Sequence, residues 1–251
     1  MTAMKKFHRF FAVSLLFYAT TAPASRVYPL VEIHRPLVLP GGVTEIHASF
    51  ERTHIETGGN DSTTLQTVFM SDFGVNEPFQ TGVATAFLYS PDFAWGKYLQ
   101  PQGAWLIHDG WSFDLSAAAA IPLYFEGDLI QTFTLAAPMR YNVLSRLALY
   151  AGDRALPVSF APGAMSIDIN VGVGVQLTWN TVIRADTRLW HIKLAGQNNS
   201  SNNLADIFPL AVLLQYSVDA YLDFVGFANF ADFTGGASEN YTLGINVVRR
   251  L

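Results

Sequence analysis

Apolar and polar residues alternate along this chain with a period of two. The clearest stretch runs from Ala164 to Thr178. Met165, Ile167, Ile169, Val171, Val173, Val175 and Leu177 are apolar, and Ser166, Asp168, Asn170, Gly172, Gly174, Gln176 and Thr178 lie between them. Side chains alternate across a strand, so this segment has one apolar and one polar face. Fifteen residues is long beside the five or six or so of an ordinary strand, and a membrane-crossing strand needs about 9–11. The same alternation puts Phe113, Leu115, Ala117, Ala119, Ile121 and Leu123 on one row. It sets Phe133, Leu135, Ala137, Met139 and Tyr141 against Thr132, Thr134 and Arg140, and Ile46, Ala48 and Phe50 against Glu45, His47, Ser49 and Glu51. Phe208, Leu210, Val212, Leu214 and Tyr216 form a further row.

The pattern predicts twelve strands, starting near Val43, Thr64, Phe79, Leu99, Trp111, Ile130, Leu147, Ala164, Thr181, Ile207, Tyr221 and Tyr241; ten to fourteen are compatible with it. Gly152 and Pro157 interrupt the seventh. The connections alternate in length. Glu56–Thr63, Ser90–Tyr98, Tyr124–Leu129, Asp153–Gly163, Gly196–Asp206 and Asp232–Asn240 are longer; Gly74–Pro78, Asp109–Gly110, Asn142–Arg146, Trp179–Asn180 and Ser217–Ala220 are short. Asp109-Gly110 is a strong hairpin turn. Long and short connections in strict alternation, with an even strand number, predict an all-β fold: a transmembrane, antiparallel, up-and-down β-barrel. Closure follows because an open sheet edge in lipid leaves backbone groups unpaired.

The first residues read as an address. Lys5, Lys6 and Arg9 precede the apolar stretch Phe10–Ala19, and Ala22-Pro23-Ala24 follows as a small-residue cleavage site, the order of a secretory signal peptide. The expected organisation is a signal peptide over 1–24, a periplasmic lead-in over 25–42 and a barrel domain over 43–251. Pro29, Pro36 and Pro40 make a long strand in the lead-in unfavourable.

Composition sharpens this. The 251 residues include 50% hydrophobic and only 14% charged ones, against about 25% charged in an ordinary soluble domain. No apolar run is long enough for a membrane helix, which needs about 20 residues. There is no cysteine, which excludes disulfides and thiolate metal sites. Loss of residues 1–24 removes three basic residues and no acidic ones, taking the net charge from −5 to −8, so nothing points to nucleic acid. Trp95, Trp105, Trp111, Trp179, Tyr89, Tyr98, Tyr141, Tyr216 and Tyr221 fall mostly near predicted strand ends, where interfacial aromatic girdles belong.

With its leader, its alternating strands and its last strand YTLGINVVRRL, the chain resembles the bacterial outer-membrane β-barrel, or porin-like, superfamily. In that strand Tyr241, Leu243, Ile245, Val247 and Leu251 fit the spacing of a terminal assembly signal, although Leu251 stands where an aromatic is usual and Arg249 falls on the lipid-facing row. The resemblance covers residues 43–251. It implies a Gram-negative outer-membrane location with both termini periplasmic, insertion by the barrel-assembly machinery, contact with the lipid bilayer, and transport of small solutes.

Candidate chemistry lies on the polar rows. Arg184, Asp186 and Arg188 alternate on one face of the ninth strand, and an Arg on the lipid face costs about 2–4 kcal/mol at the midplane, so the three should point inward. With Glu45, His47, Glu51, Asp114, Arg140 and Asp168 they form the expected lining of a lumen. Two readings stand: a charged constriction that filters solutes, or a salt-bridge network that fills a narrow barrel. His47, His54, His108 and His191 show neither H-x-x-x-H nor H-E-x-x-H spacing, and Glu45, His47 and Ser49 stand in a row without a nucleophile elbow. No catalytic residue, metal or cofactor is therefore assigned. Three functions remain in view: a porin-like channel, a closed structural or interaction barrel displaying its loops, and a membrane-embedded hydrolase.

Overall fold

The computed structural model describes residues 29–57, 60–90, 93–130, 132–151, 158–161, 164–195, 209–233 and 239–251. The signal-peptide stretch and the Asn198–Asn203 tract lie outside them. The long alternating segments form twelve antiparallel strands. In chain order they are β1 (Thr44–Thr57), β2 (Asn60–Asn76), β3 (Phe79–Ser90), β4 (Ala94–Asp109), β5 (Phe113–Ala120, resumed at Leu123–Tyr124), β6 (Phe133–Ala136 and Met139–Leu144), β7 (Leu147–Tyr150 and Val158–Ala161), β8 (Ala164–Thr178), β9 (Thr181–Ala195), β10 (Leu210–Ser217), β11 (Leu222–Phe230) and β12 (Asn240–Arg250). Each pairs with its chain neighbours, and β12 pairs with β1 from Arg250↔Glu45 to Asn240↔Ile55, which closes the ring.

The strands start close to where the pattern places them, and three hairpins run longer than expected. β1 and β2 stay paired out to Thr57↔Asn60, β4 begins at Ala94, and Val158–Ala161, within the stretch expected as the Asp153–Gly163 loop, pairs with β8 out to Ala161↔Ala164. At the β1–β2 hairpin the residues expected as loop include Glu56, Asp61 and Ser62, which are polar and exposed and carry no apolar alternation. Three neighbouring strands are broken, at Ile121-Pro122 in β5, at Ala137-Pro138 in β6 and after Tyr150 in β7. Proline has no N–H to give the ladder. Around the second break Ser116 N donates to the Pro138 carbonyl at 2.9 Å and Ala151 N to the Met139 carbonyl at 3.1 Å.

The barrel is inverted relative to a water-soluble domain. Among the described residues, buried polar and charged side chains outnumber buried apolar ones, while Phe50, Phe69, Trp105, Ile107, Leu149, Val173, Ile183, Leu214, Phe224, Leu243 and Ile245 lie exposed on the outer face. An apolar surface this extensive is unfavourable in water and suits a lipid environment. On β12 and β1 the band is bounded by two outward arginines. Arg249 stands at the turn end and Arg52, opposite Leu243, toward the loop end; between them lie Val247, Ile245, Ile46, Ala48 and Phe50. Exposed Trp111, Trp179, Tyr141, Tyr216 and Tyr221 ring the turn end, and Tyr89, Phe93 and Trp190 lie toward the other.

The described part of the lead-in, Pro29–Gly42, lies across the turn end of the barrel. Its one regular element is a 3-10 turn, Glu32–His34. Ile33, Arg35, Val38 and Leu39 are buried.

Candidate functional site

Alternation sends the even residues of β8, those of β9 as far as Arg188 and the odd ones of β1 to the interior, together with Asp72, Asp114, Arg140, Gln215, Ser217, Asp223, Asn246 and Arg250 from the other strands. At the turn end Arg35, Gln215 and Arg250 converge on one carboxylate, that of Asp223. Asp223 Oδ2 accepts from Arg35 Nη1 at 2.6 Å and from Gln215 Nε2 at 3.1 Å, and lies 2.7 Å from Arg250 Nη1. Arg35 Nη2 donates to Asp223 Oδ1 at 3.2 Å and to Ser217 Oγ at 2.9 Å, and its Nε donates to the Pro29 carbonyl at 2.8 Å. Burial alone would favour a neutral Arg35, but Glu32, 2.6 Å away, and Asp223 outweigh it and hold the guanidinium above its usual value.

The network continues around the wall. Arg250 Nε sits 2.6 Å from Glu45 Oε2, and Glu45 Oε1 is 2.7 Å from His47 Nε2. Asn246 Nδ2 lies 3.2 Å from His47 Nδ1, a pair of contacts that fits the His47 tautomer protonated on Nε2. A second buried pair joins Arg140 and Asp114 across β6 and β5, with Arg140 Nε donating to Asp114 Oδ2 at 2.9 Å and Nη2 to the same oxygen.

The row Arg184–Asp186–Arg188 does not act as one unit. Arg184 Nε donates to Asp186 Oδ1 at 3.0 Å and its guanidinium lies 4.0 Å over the Tyr150 ring, a cation–π contact. Arg188 reaches across to β8, 3.6 Å from Asp168. Asp168 also accepts His191 Nδ1 at 2.6 Å. A strict period of two would turn His191 outward. Ile169 pairs with Trp190 and Asn170 with Arg188, so Leu189 is an extra residue, a bulge that puts Leu189 and Trp190 both outside and returns His191 to the lumen. Nearer the loop end, Glu51 accepts from Ser49 Oγ at 2.8 Å and Gln66 Nε2 at 2.7 Å.

All nine residues expected to line the lumen are on the inner face, in separate groups. Arg35, Asp72, Gln215, Asp223 and Arg250 join them inside without having been expected there from the pattern. The signal for Arg250 was present, since Arg249 on the outer row places its neighbour inside. Asp223 has no such local mark, because it gains its meaning from Arg35, 188 positions earlier.

These groups surround a cavity of about 320 Å³ lined by Glu32, Arg35, Glu45, His47, Arg140, Tyr150, Arg184, Asp223 and Arg250. Each of its four arginines lies against a carboxylate, so the lining is charged but balanced. Glycines keep bulky side chains against the wall. A Cβ on Gly172 would lie 1.8 Å from Asp186 Oδ1, one on Gly174 2.7 Å from the Tyr150 ring, and one on Gly244 2.3 Å from the Phe227 ring. The histidines offer little chemistry. His54 comes together with Glu56 and Asp61, but the two acids are exposed, and the His108 ring lies tilted to that of Phe113 with centroids 5.9 Å apart.

No family model matches the chain, and no curated protein matches it by sequence. Solved structures do match in fold. The KdgM porin superposes with a TM-score of 0.56 at 9% identity, covering 82% of this chain and 98% of the porin. The NanC porin gives 0.56 at 8% identity over 83% of this chain and all of the porin. An outer-membrane channel from Pseudomonas putida F1 gives 0.54 at 11% identity, covering 85% and 97%. At these identities the likeness is one of fold: the closed, twelve-stranded antiparallel barrel of this chain superposes on outer-membrane porins and channels, and the lining described above is its own.

Proposed function

We propose that this protein is a porin-like channel of the bacterial outer membrane that passes small polar solutes, with its short turns and both termini in the periplasm. The observation that carries this reading is the polar, charged cavity inside a barrel whose outer face is apolar. A barrel used only as an anchor has no need of buried ion pairs around open space, and a buried pair broken on one side costs about 3–5 kcal/mol. The balanced lining favours small neutral or zwitterionic solutes over polyanions, because the described residues offer an acidic chain no row of uncompensated arginines. A hydrolase reading finds less support. Ser49 Oγ is engaged by Glu51, and His47 by Glu45 and Asn246, so the Ser–His–acid row does not assemble.

The second reading, a closed interaction barrel, has one observation in its favour: the lead-in lies across the turn end. Planar-bilayer recordings separate the two. Discrete conductance steps support the channel, and their absence from both the full-length protein and a variant lacking residues 29–39 rules it out. A boiled and an unboiled sample migrating apart on a detergent gel shows that the protein tested is a folded barrel.

A further inference from the structure

We infer that Pro29–Gly42 is a latched strap that closes the turn-end mouth of the lumen and can be released from it; this rests on the channel reading above. The strap spans the opening. At one end, Leu39 N donates to Gln80 Oε1 of β3 at 2.6 Å, and a Cβ on Gly74 of β2 would lie 2.0 Å from the Pro40 carbonyl oxygen. At the other, Ile33 packs among Ala148, Tyr150 and Val182 of β7 and β9, and Arg35 reaches Ser217 and Asp223 of β10 and β11. β2–β3 and β7–β9 stand on opposite sides of a twelve-strand ring, so a chain touching both must cross the lumen. His34 stacks on Trp111 in the β4–β5 turn with centroids 5.9 Å apart, which places the crossing level with the short turns.

Three features make the strap separable from the barrel. Its charged attachment is confined to two neighbouring side chains, Arg35 on Asp223 and Glu32, whose Oε2 accepts from Gln215 Nε2 at 2.9 Å. Arg250 sits 2.7 Å from Asp223, so the carboxylate keeps a cation when Arg35 leaves and is not left as a lone buried charge. The connection to β1 runs through Pro40-Gly41-Gly42, with Gly42 at φ 85, a backbone region open to glycine, where the chain folds back through Gly42 N to the Gly74 carbonyl at 2.8 Å. The barrel wall is therefore complete without the strap, and the strap swings about a defined hinge.

The test uses the cysteine-free chain to advantage. An Ile33→Cys/Ala148→Cys pair, set in one packed cluster, introduces the only thiols, and its disulfide fixes the strap in the mouth. The full-length protein, this oxidised pair and a variant lacking residues 29–39 are compared in planar bilayers after gel migration shows each to be folded. Expected are a severalfold larger conductance for the deletion than for the full-length protein, and a conductance of the locked pair that falls to baseline and returns with a reductant. Equal conductance of full-length and deleted protein, or of the locked and reduced pair, overturns the strap while leaving the channel reading intact. No conductance from any of the three overturns both. If the deletion variant does not fold, the reversible lock decides alone.

Discussion

The two ends of the lumen hold their charges in different ways. At the turn end Asp223, 1% exposed, is shared between Arg35 and Arg250, whose side chains are 3% and 6% exposed. At the loop end Asp168, 23% exposed, meets Arg188 at 3.6 Å, with that guanidinium 28% exposed. The chemistry of the pairs is the same, but the surroundings decide their weight. Water screens the outer pair and leaves it within the range of surface ion pairs, whereas removing the shared carboxylate from the inner group takes a partner from two desolvated guanidinium groups at once. Equal charge counts along a lumen therefore do not mean equal contributions to the fold. The turn end buries its charges as part of the fold, and the loop end leaves its charges in contact with water.

The sharpest way to break this contrast is Asp223→Ala. It removes the carboxylate on which Arg35 and Arg250 converge, and a loss of about 3–5 kcal/mol is expected, read as a lower urea midpoint for unfolding in lipid vesicles followed by tryptophan fluorescence. A loss below that of a surface pair would mean that Glu32 and Glu45 suffice for the two arginines. Replacing Arg35 by Met as well should recover part of the loss, since one of the stranded charges goes with it. Gly244→Ala probes the middle of the wall. Its methyl group meets the Phe227 ring, and swinging that ring aside should cost about 1–3 kcal/mol as overpacking does elsewhere. No change in the midpoint would show that the ring has room to move. The smallest effect is expected at the loop end, where Asp168→Asn should shift stability by less than about 1 kcal/mol and act instead on ion selectivity, measured as a change in reversal potential across a salt gradient.

Much of this architecture is legible in the sequence because the bilayer enforces a simple rule: one row apolar, the next polar. That rule placed Arg184, Asp186 and Arg188 inside and Ile245 and Leu243 outside. It fails where the backbone changes phase or where a residue lies off the strands. The bulge at Leu189 hid the inward turn of His191, since an extra residue in one strand leaves no trace in composition. Arg35 lies in a proline-rich stretch with no period, and only the closed ring brings it to β10 and β11. The pairing of inner residues was equally hidden. Arg188 meets Asp168 rather than its own-strand neighbour Asp186, because a cross-strand partner competes with one two residues away, and register, not spacing, selects the winner.

The glycines under Asp186, Tyr150 and Phe227 bear on how such a conduit changes through time. Each leaves an alcove one methyl group deep, and the large side chain opposite lies back into it. Filling an alcove tips that side chain toward the axis and narrows the passage without altering a single charge or hydrogen-bonding group. On the channel reading, the size limit for passing molecules can thus drift by glycine–alanine exchange, a change of one codon position that leaves the charge pattern untouched and that an inventory of charged residues would miss.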